Sequence, residues 1–91
     1  MIRNFRHKGL LELFERGNSR RIGKQFQAKA LRRLDALGQA TRPEEMNIPG
    51  FDFHKLKGNP VRYSVHVNGN FCITFGWEGD NAIDVNFEDY H

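Results

Sequence analysis

A chain of 91 residues with 38% hydrophobic and 27% charged residues has the composition of one small globular domain and not of a disordered segment. No apolar run approaches the roughly 20 residues that a membrane-spanning helix needs, and the N-terminal residues lack the apolar core of a signal peptide. The single cysteine excludes an internal disulfide and a cysteine-rich zinc site. We therefore expect one domain over residues 1–91, working in the cytoplasm and away from membranes.

Charge is divided unevenly between the two halves of the chain. Residues 1–42 carry eleven Lys and Arg against three acidic residues, whereas residues 43–91 carry three against eight. A basic half suits a polyanion such as nucleic acid, or an acidic protein partner. A solvated helix face has the same charge pattern, so charge alone leaves both interpretations open.

The first half of the chain predicts helices. Apolar residues at helical spacing indicate one helix over Lys8–Arg16, which Gly17 ends. The same spacing indicates a longer helix over Arg20–Leu37, which Gly38 ends. The short connection favours packing of the two as a hairpin. One helical turn is expected at Pro43–Met46 within a loop.

The second half alternates apolar and polar residues with the period of a strand. It predicts strands over residues 61–67, 71–77 and 82–87, with one more strand among residues 51–56 and a short edge strand at Met1–Phe5. Ile83, Val85 and Phe87 are expected to share one face of the last strand. The fold class is therefore α+β: two N-terminal helices cover one face of a twisted antiparallel sheet, and the other face is more polar.

Asn68-Gly69-Asn70 joins the two central strands. Asn-Gly is typical of a two-residue turn, but that register would set apolar residues against polar ones. A loop of three residues matches the two faces instead. It pairs Val67 with Phe71, Val65 with Ile73 and Tyr63 with Phe75.

The polar face of the central hairpin is the most informative surface. Its expected members are Arg62, Ser64, His66, Cys72 and Thr74. His54 and Lys57 are expected beside it, where an imidazole can move protons and an ammonium can hold a phosphate. A polar strand end that runs into a turn has the same pattern. The chain also closes on Asp89, Tyr90 and His91, which suit proton transfer and equally suit a solvated tail.

Metal and cysteine chemistry find little support. His7, His54, His66 and His91 lack metal-ligand spacing, so we expect no metal and no cofactor. Cys72 has His66 as its expected cross-strand neighbour, which would suit an activated nucleophile. An inert strand thiol fits the same position, and nothing else marks a cysteine enzyme.

Several segments resemble the HigB branch of the RelE/ParE toxin superfamily. They are Met1–Leu10, Leu13–Gly17, Pro43–Asn47, His54–Gly58, Asn70–Phe75 and Glu88–His91. The resemblance implies a RelE-like microbial RNase fold and a ribosome-dependent endoribonuclease that cuts mRNA. It also implies a helix-turn-helix antitoxin of the HigA type, through which alone the toxin reaches operator DNA.

The resemblance assigns roles to particular residues. His54, Lys57, Asp89, Tyr90 and His91 match the family's catalytic positions, and Lys57 matches its phosphate-binding lysine. In a metal-independent reaction, these groups would assist attack of a ribose 2′-OH on the adjacent phosphate. For ribosome binding we expect the basic residues of the first half. They are Arg20, Arg21, Lys24, Lys29, Arg32 and Arg33.

One position departs from the family pattern. The family usually reads Asn-Trp-Arg-Ile-Thr-Phe where this chain has Asn70-Phe71-Cys72-Ile73-Thr74-Phe75. Cys72 therefore stands where an arginine would contact the scissile phosphate, and a thiol cannot replace a guanidinium. We expect an attenuated enzyme in which Arg62, on the same face, compensates in part. Two alternatives stay open: a gyrase-poisoning toxin of the ParE kind, and an inactive variant that binds ribosome or antitoxin.

Overall fold

Both predicted helices form in the computed structural model, which describes residues 1–89. Helix α1 spans Lys8–Arg16 and ends as predicted at Gly17, which takes a left-handed φ of +82°. Helix α2 spans Lys24–Gln39, so it begins later than predicted and continues through Gly38, which was expected to end it. Gln27 Nε2 donates to the carbonyls of Ser19 at 2.8 Å and Ile22 at 2.9 Å, which holds the preceding residues in a turn. No helix within residues 1–89 is long and apolar enough to cross a membrane.

Four strands form one antiparallel sheet in chain order, which confirms the α+β fold. They are β1 (His54–Leu56), β2 (Arg62–Asn68), β3 (Phe71–Glu78) and β4 (Asn81–Asp89). A 3₁₀ turn at Pro43–Met46 lies where it was predicted. The helices cover one face of the sheet, where they bury Val65, Ile73, Phe75 and Val85. The opposite face is called the open face below.

The hairpin between β2 and β3 keeps the predicted matching of faces but has a different turn from those that the sequence suggested. Tyr63 pairs with Phe75 and Val65 with Ile73, as the matching of faces predicted. Asn68, and not Val67, lies opposite Phe71, because the register shifts between His66 and Asn68. This bulge absorbs one residue, so the strands keep their faces, and the turn consists of two residues, Gly69 and Asn70, with Gly69 at a φ of +57°. The predicted three-residue loop is therefore wrong.

A second irregularity lies in β4 and overturns the predicted face of Ile83. The register shifts between Thr74 and Gly76 of β3, and Asp84 opposite takes a φ of +50°. Ile83 then pairs with Gly76 on the open face, while Val85 is fully buried beneath the helices. The extra residue of a bulge reverses the alternation of side chains, which is why Ile83 and Val85 do not share a face.

The segment Met1–Phe5 follows β4 without forming the predicted edge strand. It makes two isolated parallel bridges, Ile2 to Ala82 and Phe5 to Val85. Between these bridges the Asn4 side chain binds Asp84, accepting from its backbone N–H at 3.1 Å. The bulge at Asp84 thus interrupts the regular ladder, and a side chain takes the place of backbone pairing.

His7 begins α1 by accepting a hydrogen bond at Nδ1 from the Leu10 backbone N–H at 3.3 Å. Burial, with a smaller contribution from Arg21, lowers the pKa of His7 below its ordinary value. A histidine with a lowered native pKa stabilises the fold fully above about pH 6.5, and this stability is lost as the pH falls towards the native pKa. Protonation also removes the acceptor that caps the helix.

Replacing His7 by Asn should therefore reduce the loss of stability on acidification, because Asn caps a helix and does not titrate. Urea unfolding midpoints at pH 7.5 and pH 5.5 measure this difference. His54→Asn makes the same substitution at an exposed histidine outside α1 and is the matched control. The same pH dependence in His7→Asn and the parent would contradict the assignment.

Candidate active site

The open face brings polar residues from all four strands into rows. The register aligns one row as His54, Ser64, Thr74 and Asn86. A second row holds His66, Cys72 and Glu88, and a third holds Leu56, Arg62, Gly76 and Ile83. Of the predicted site residues, His54, Arg62 and Cys72 therefore share this face.

His54 has a defined ring orientation at the start of β1. Its Nδ1 lies 2.9 Å from the backbone carbonyl of Asp52, an oxygen that can only accept. A neutral ring therefore carries its hydrogen on Nδ1 and keeps the lone pair on Nε2. The side chain is exposed, and Lys57, also exposed, follows directly after β1. An imidazole with an available lone pair can act as a base, and a nearby ammonium can hold an anion.

The Arg62 side chain is held on the open face by defined hydrogen bonds. Its Nη2 donates to Thr74 Oγ1 at 3.0 Å and to the Asp84 carbonyl at 2.9 Å. Thr74 Oγ1 in turn donates to the carboxylate of Glu88. Burial, and then Arg6, lower the pKa of Arg62, whereas Glu88 and Asp84 oppose this shift. The guanidinium is thus an oriented cation on the face that also carries His54.

Gly76 leaves room for this guanidinium. A Cβ at Gly76 would lie 3.2 Å from Ile83 Cγ1 and 3.7 Å from Arg62 Nη1. Both side chains therefore lie close over the glycine, and a larger residue there would displace at least one of them.

Cys72 lies opposite His66 as predicted and opposite Glu88 on its other side, but it is buried, whereas a residue of the polar face would be expected to meet solvent. The residue is only 1% exposed, and Ser64 and Thr74 on the same face are equally buried. Short side chains at the centre of the sheet lie below the level of the longer ones around them. Cys72 therefore contributes to the floor of the open face, and a long side chain at this position has no ready space.

The prediction that Arg33 contacts the ribosome is also wrong, because this residue is only 6% exposed. Its Nε donates to the His66 carbonyl at 2.8 Å and its Nη2 to the Gly50 carbonyl at 3.2 Å. The guanidinium carbon lies 4.4 Å from the ring centroid of Phe51. Burial is the main cause that lowers the pKa of Arg33. Arg33 thus fastens α2 to β2 and to the loop that leads to His54.

The other basic residues of the first half are exposed on the helix side. Arg20 and Arg21 lie in the connection before α2, and Lys24, Lys29 and Arg32 lie on α2 itself. Because α2 packs on the covered face of the sheet, this basic surface points away from the open face. It comprises Arg20, Arg21, Lys24, Lys29 and Arg32.

Glu88 and Asp89, at the end of β4, lie on opposite faces of the sheet. Asp89 lies opposite Phe71, whose ring contacts Phe26 of α2, so Asp89 belongs to the helix side. Glu88, which the sequence did not single out, lies on the open face. Continuing the alternation past Phe87 would have found it. The predicted site residues Tyr90 and His91 lie outside the described residues.

Metal-ligand types do not gather in this part of the chain. Within residues 1–89, no three His, Cys, Asp or Glu side chains are close enough to hold a metal ion.

Two comparisons with known proteins bear on this geometry. Residues 3–91 match the model of the HigB-like toxin family, described as the RelE-like toxin of type II toxin-antitoxin system HigB. The chain is also 39% identical over 92 residues to the Endoribonuclease HigB of Proteus vulgaris, and the alignment covers 100% of both chains.

Proposed function

Because the chain belongs to the HigB-like toxins of type II toxin-antitoxin systems, we propose that it is an endoribonuclease that cleaves mRNA on the ribosome. The full-length similarity to a relative named an endoribonuclease is the observation that carries this proposal. The open face adds support, since it combines an imidazole with an available lone pair and an oriented guanidinium. Residues 1–91 would form this one toxin domain.

The proposed reaction is attack of a ribose 2′-OH on the adjacent phosphorus. His54 Nε2 accepts the 2′ proton, the new P–O bond closes a 2′,3′-cyclic phosphate, and the bond to the 5′ oxygen breaks. The resemblance assigns protonation of the leaving 5′ oxygen to Asp89, Tyr90 and His91; because Asp89 lies on the helix side of the sheet, we assign this step to Tyr90 and His91. No metal or cofactor takes part in these steps.

Two cations would stabilise the charge that builds up on the phosphate. Lys57 is exposed directly after β1, and the Arg62 guanidinium is fixed on the open face by Thr74 and the Asp84 carbonyl. Preorganised donors of this kind lower the barrier because they need no reorganisation during the reaction. Cys72 supplies no such donor, so we propose that the enzyme is weaker than relatives with an arginine at this position.

The partners in this proposal are an antitoxin and the ribosome with its message. A type II toxin is paired with an antitoxin, and we propose a helix-turn-helix protein of the HigA type that links the toxin to operator DNA. The site of action would be the cytoplasm.

Primer extension on a translated message tests the proposed function. New 5′ ends should appear when purified protein is added to programmed ribosomes, and they should be absent when the same RNA is incubated without ribosomes. A parallel supercoiling assay with DNA gyrase should show no inhibition. Intact message together with inhibited gyrase would replace the proposal by a gyrase-poisoning function, and intact message alone would leave a binding protein without nuclease activity.

The basic surface should bind the ribosome electrostatically. Replacing Lys24, Lys29 and Arg32 by Gln should weaken co-sedimentation with ribosomes. It should lower the slope of log affinity against log salt by roughly 0.7–0.9 for each cation that contacts a phosphate. The matched control replaces three cations elsewhere, Arg3, Arg42 and Lys55, by Gln and should change the slope less. Equal effects of both triple variants would mean that overall charge, and not this surface, sets the affinity.

A further inference from the structure

The backbone of Asp84 is held in an unusual conformation beside Arg62. Its φ of +50° lies in the left-handed region, which residues with a side chain seldom adopt, although Asp and Asn do so more often than others. The carbonyl of this residue accepts from Arg62 Nη2 at 2.9 Å, and Thr74 Oγ1 accepts from the same nitrogen at 3.0 Å. Both hydrogens of Nη2 are thereby occupied, so the plane of the guanidinium is fixed. No residue among 1–89 accepts from Nη1, whose hydrogens we assign to a phosphate oxygen.

Asn4 stabilises this conformation from the N-terminal segment. Its Nδ2 donates to Asp84 Oδ1 at 2.7 Å, and its Oδ1 accepts from the Asp84 backbone N–H at 3.1 Å. The Asn4 carbonyl also accepts from the N–H of Val85 at 3.2 Å. Asn4 therefore bonds to the Asp84 side chain, to the Asp84 backbone N–H and to the Val85 backbone N–H. Such a set of bonds can hold a conformation that the chain would otherwise leave.

We propose that Asn4 and Asp84 are positioning residues, which orient the Arg62 guanidinium towards the substrate phosphate. The proposal rests on the function proposed above, in which Arg62 supplies a cation that Cys72 cannot. Asn4 and Asp84 act only through Arg62: the pair fixes the Asp84 carbonyl, and the carbonyl fixes the guanidinium. Loss of the pair should therefore slow cleavage without weakening ribosome binding.

A double-mutant cycle on programmed ribosomes tests this coupling. Asn4→Ala should slow single-turnover cleavage at saturating protein by about 3- to 10-fold, because misplacement of a catalytic group by an ångström can cost up to about 10²-fold. In the Arg62→Ala background the same change should alter the rate by less than about twofold, since the group being positioned is gone. Co-sedimentation with ribosomes should be unchanged by Asn4→Ala.

Two further variants separate positioning from stability. Asp84→Gly in the Asn4→Ala protein should restore most of the rate, because glycine reaches a positive φ without help and keeps the carbonyl. Arg3→Ala is the matched control: it removes the ion pair between Arg3 and Glu78, which joins the same N-terminal segment to the sheet, and should leave the rate unchanged.

The possible outcomes distinguish failure of the positioning role from failure of the proposed function. Equal slowing by Asn4→Ala in both backgrounds would make its role structural and overturn the inference alone. An unchanged cleavage rate in Asn4→Ala would also overturn the inference alone. An Arg62→Ala protein as fast as the parent would overturn the assigned role of Arg62 together with the inference. A parent that never cleaves a translated message would refute the proposed function and everything that rests on it.

Discussion

Replacing His54 by Asn should lower the rate of message cleavage by about 10²- to 10⁴-fold and leave the protein folded. Asn keeps an N–H that can donate to the Asp52 carbonyl, so the local contact at the start of β1 survives. The lone pair that Nε2 offers to the 2′ proton is lost. Single-turnover cleavage on programmed ribosomes gives the rate, and urea unfolding gives the stability.

His66→Asn is the matched control for this prediction. His66 lies on the same face, and its Nε2 is 3.0 Å from the Gly69 carbonyl, so Nε2 is the donor in its neutral ring. We expect its loss to change the rate by only a few-fold. A His54→Asn protein within threefold of the parent would remove His54 from the proposed reaction.

Replacing Cys72 by Arg should change activity and stability in opposite directions. One positioned donor to a transition state is worth about 10²–10³ in rate, and we expect a gain near about 10²-fold because Arg62 already provides a guanidinium. The side chain must leave a nearly fully buried position, so the free energy of unfolding should fall by about 1–3 kcal/mol. Glu88, directly opposite, is the nearest carboxylate in register to receive the new charge.

Rate and stability must be measured on the same preparations of the Cys72→Arg protein. Cys72→Met, a longer side chain without charge, should lose stability without gaining activity. If the parent already cleaves as fast as Cys72→Arg, Arg62 or Lys57 already stabilises the charge on the phosphate. The role in phosphate binding that the family resemblance implies for position 72 would then be wrong.

The elements that depend on nearby residues were predictable from the sequence. Gly17 ends α1 by its own conformation, and alternation over a few residues was enough to pair Val65 with Ile73. The bulge at Asp84 was not predictable, because Asp adopts a positive φ more often than most residues but still seldom, and nothing else in Ile83-Asp84-Val85 marks one. That conformation depends on Asn4, which lies far away in the sequence.

The candidate site shows the same division between local and distant causes. The faces of Arg62 and Cys72 follow from strand alternation, and both were predicted. The burial of Cys72 depends on how far its neighbours reach over the sheet, which a pattern of residue types does not contain. Arg33 looked like one more surface cation of a basic helix, because its acceptors are backbone carbonyls of β2 and of a loop. Backbone acceptors leave no signature in a sequence.

The contacts between Met1–Phe5 and β4 also set an order of events during synthesis. Ile2 and Phe5 are made long before Ala82 and Val85, the residues that they bind. Contacts of such long sequence separation form late, because the chain between them must first be arranged. Asn4 therefore cannot stabilise the Asp84 bulge until almost the whole domain has been made and arranged. A newly made chain would acquire its oriented Arg62 only at the end of folding, so that cleavage activity appears after the sheet is complete.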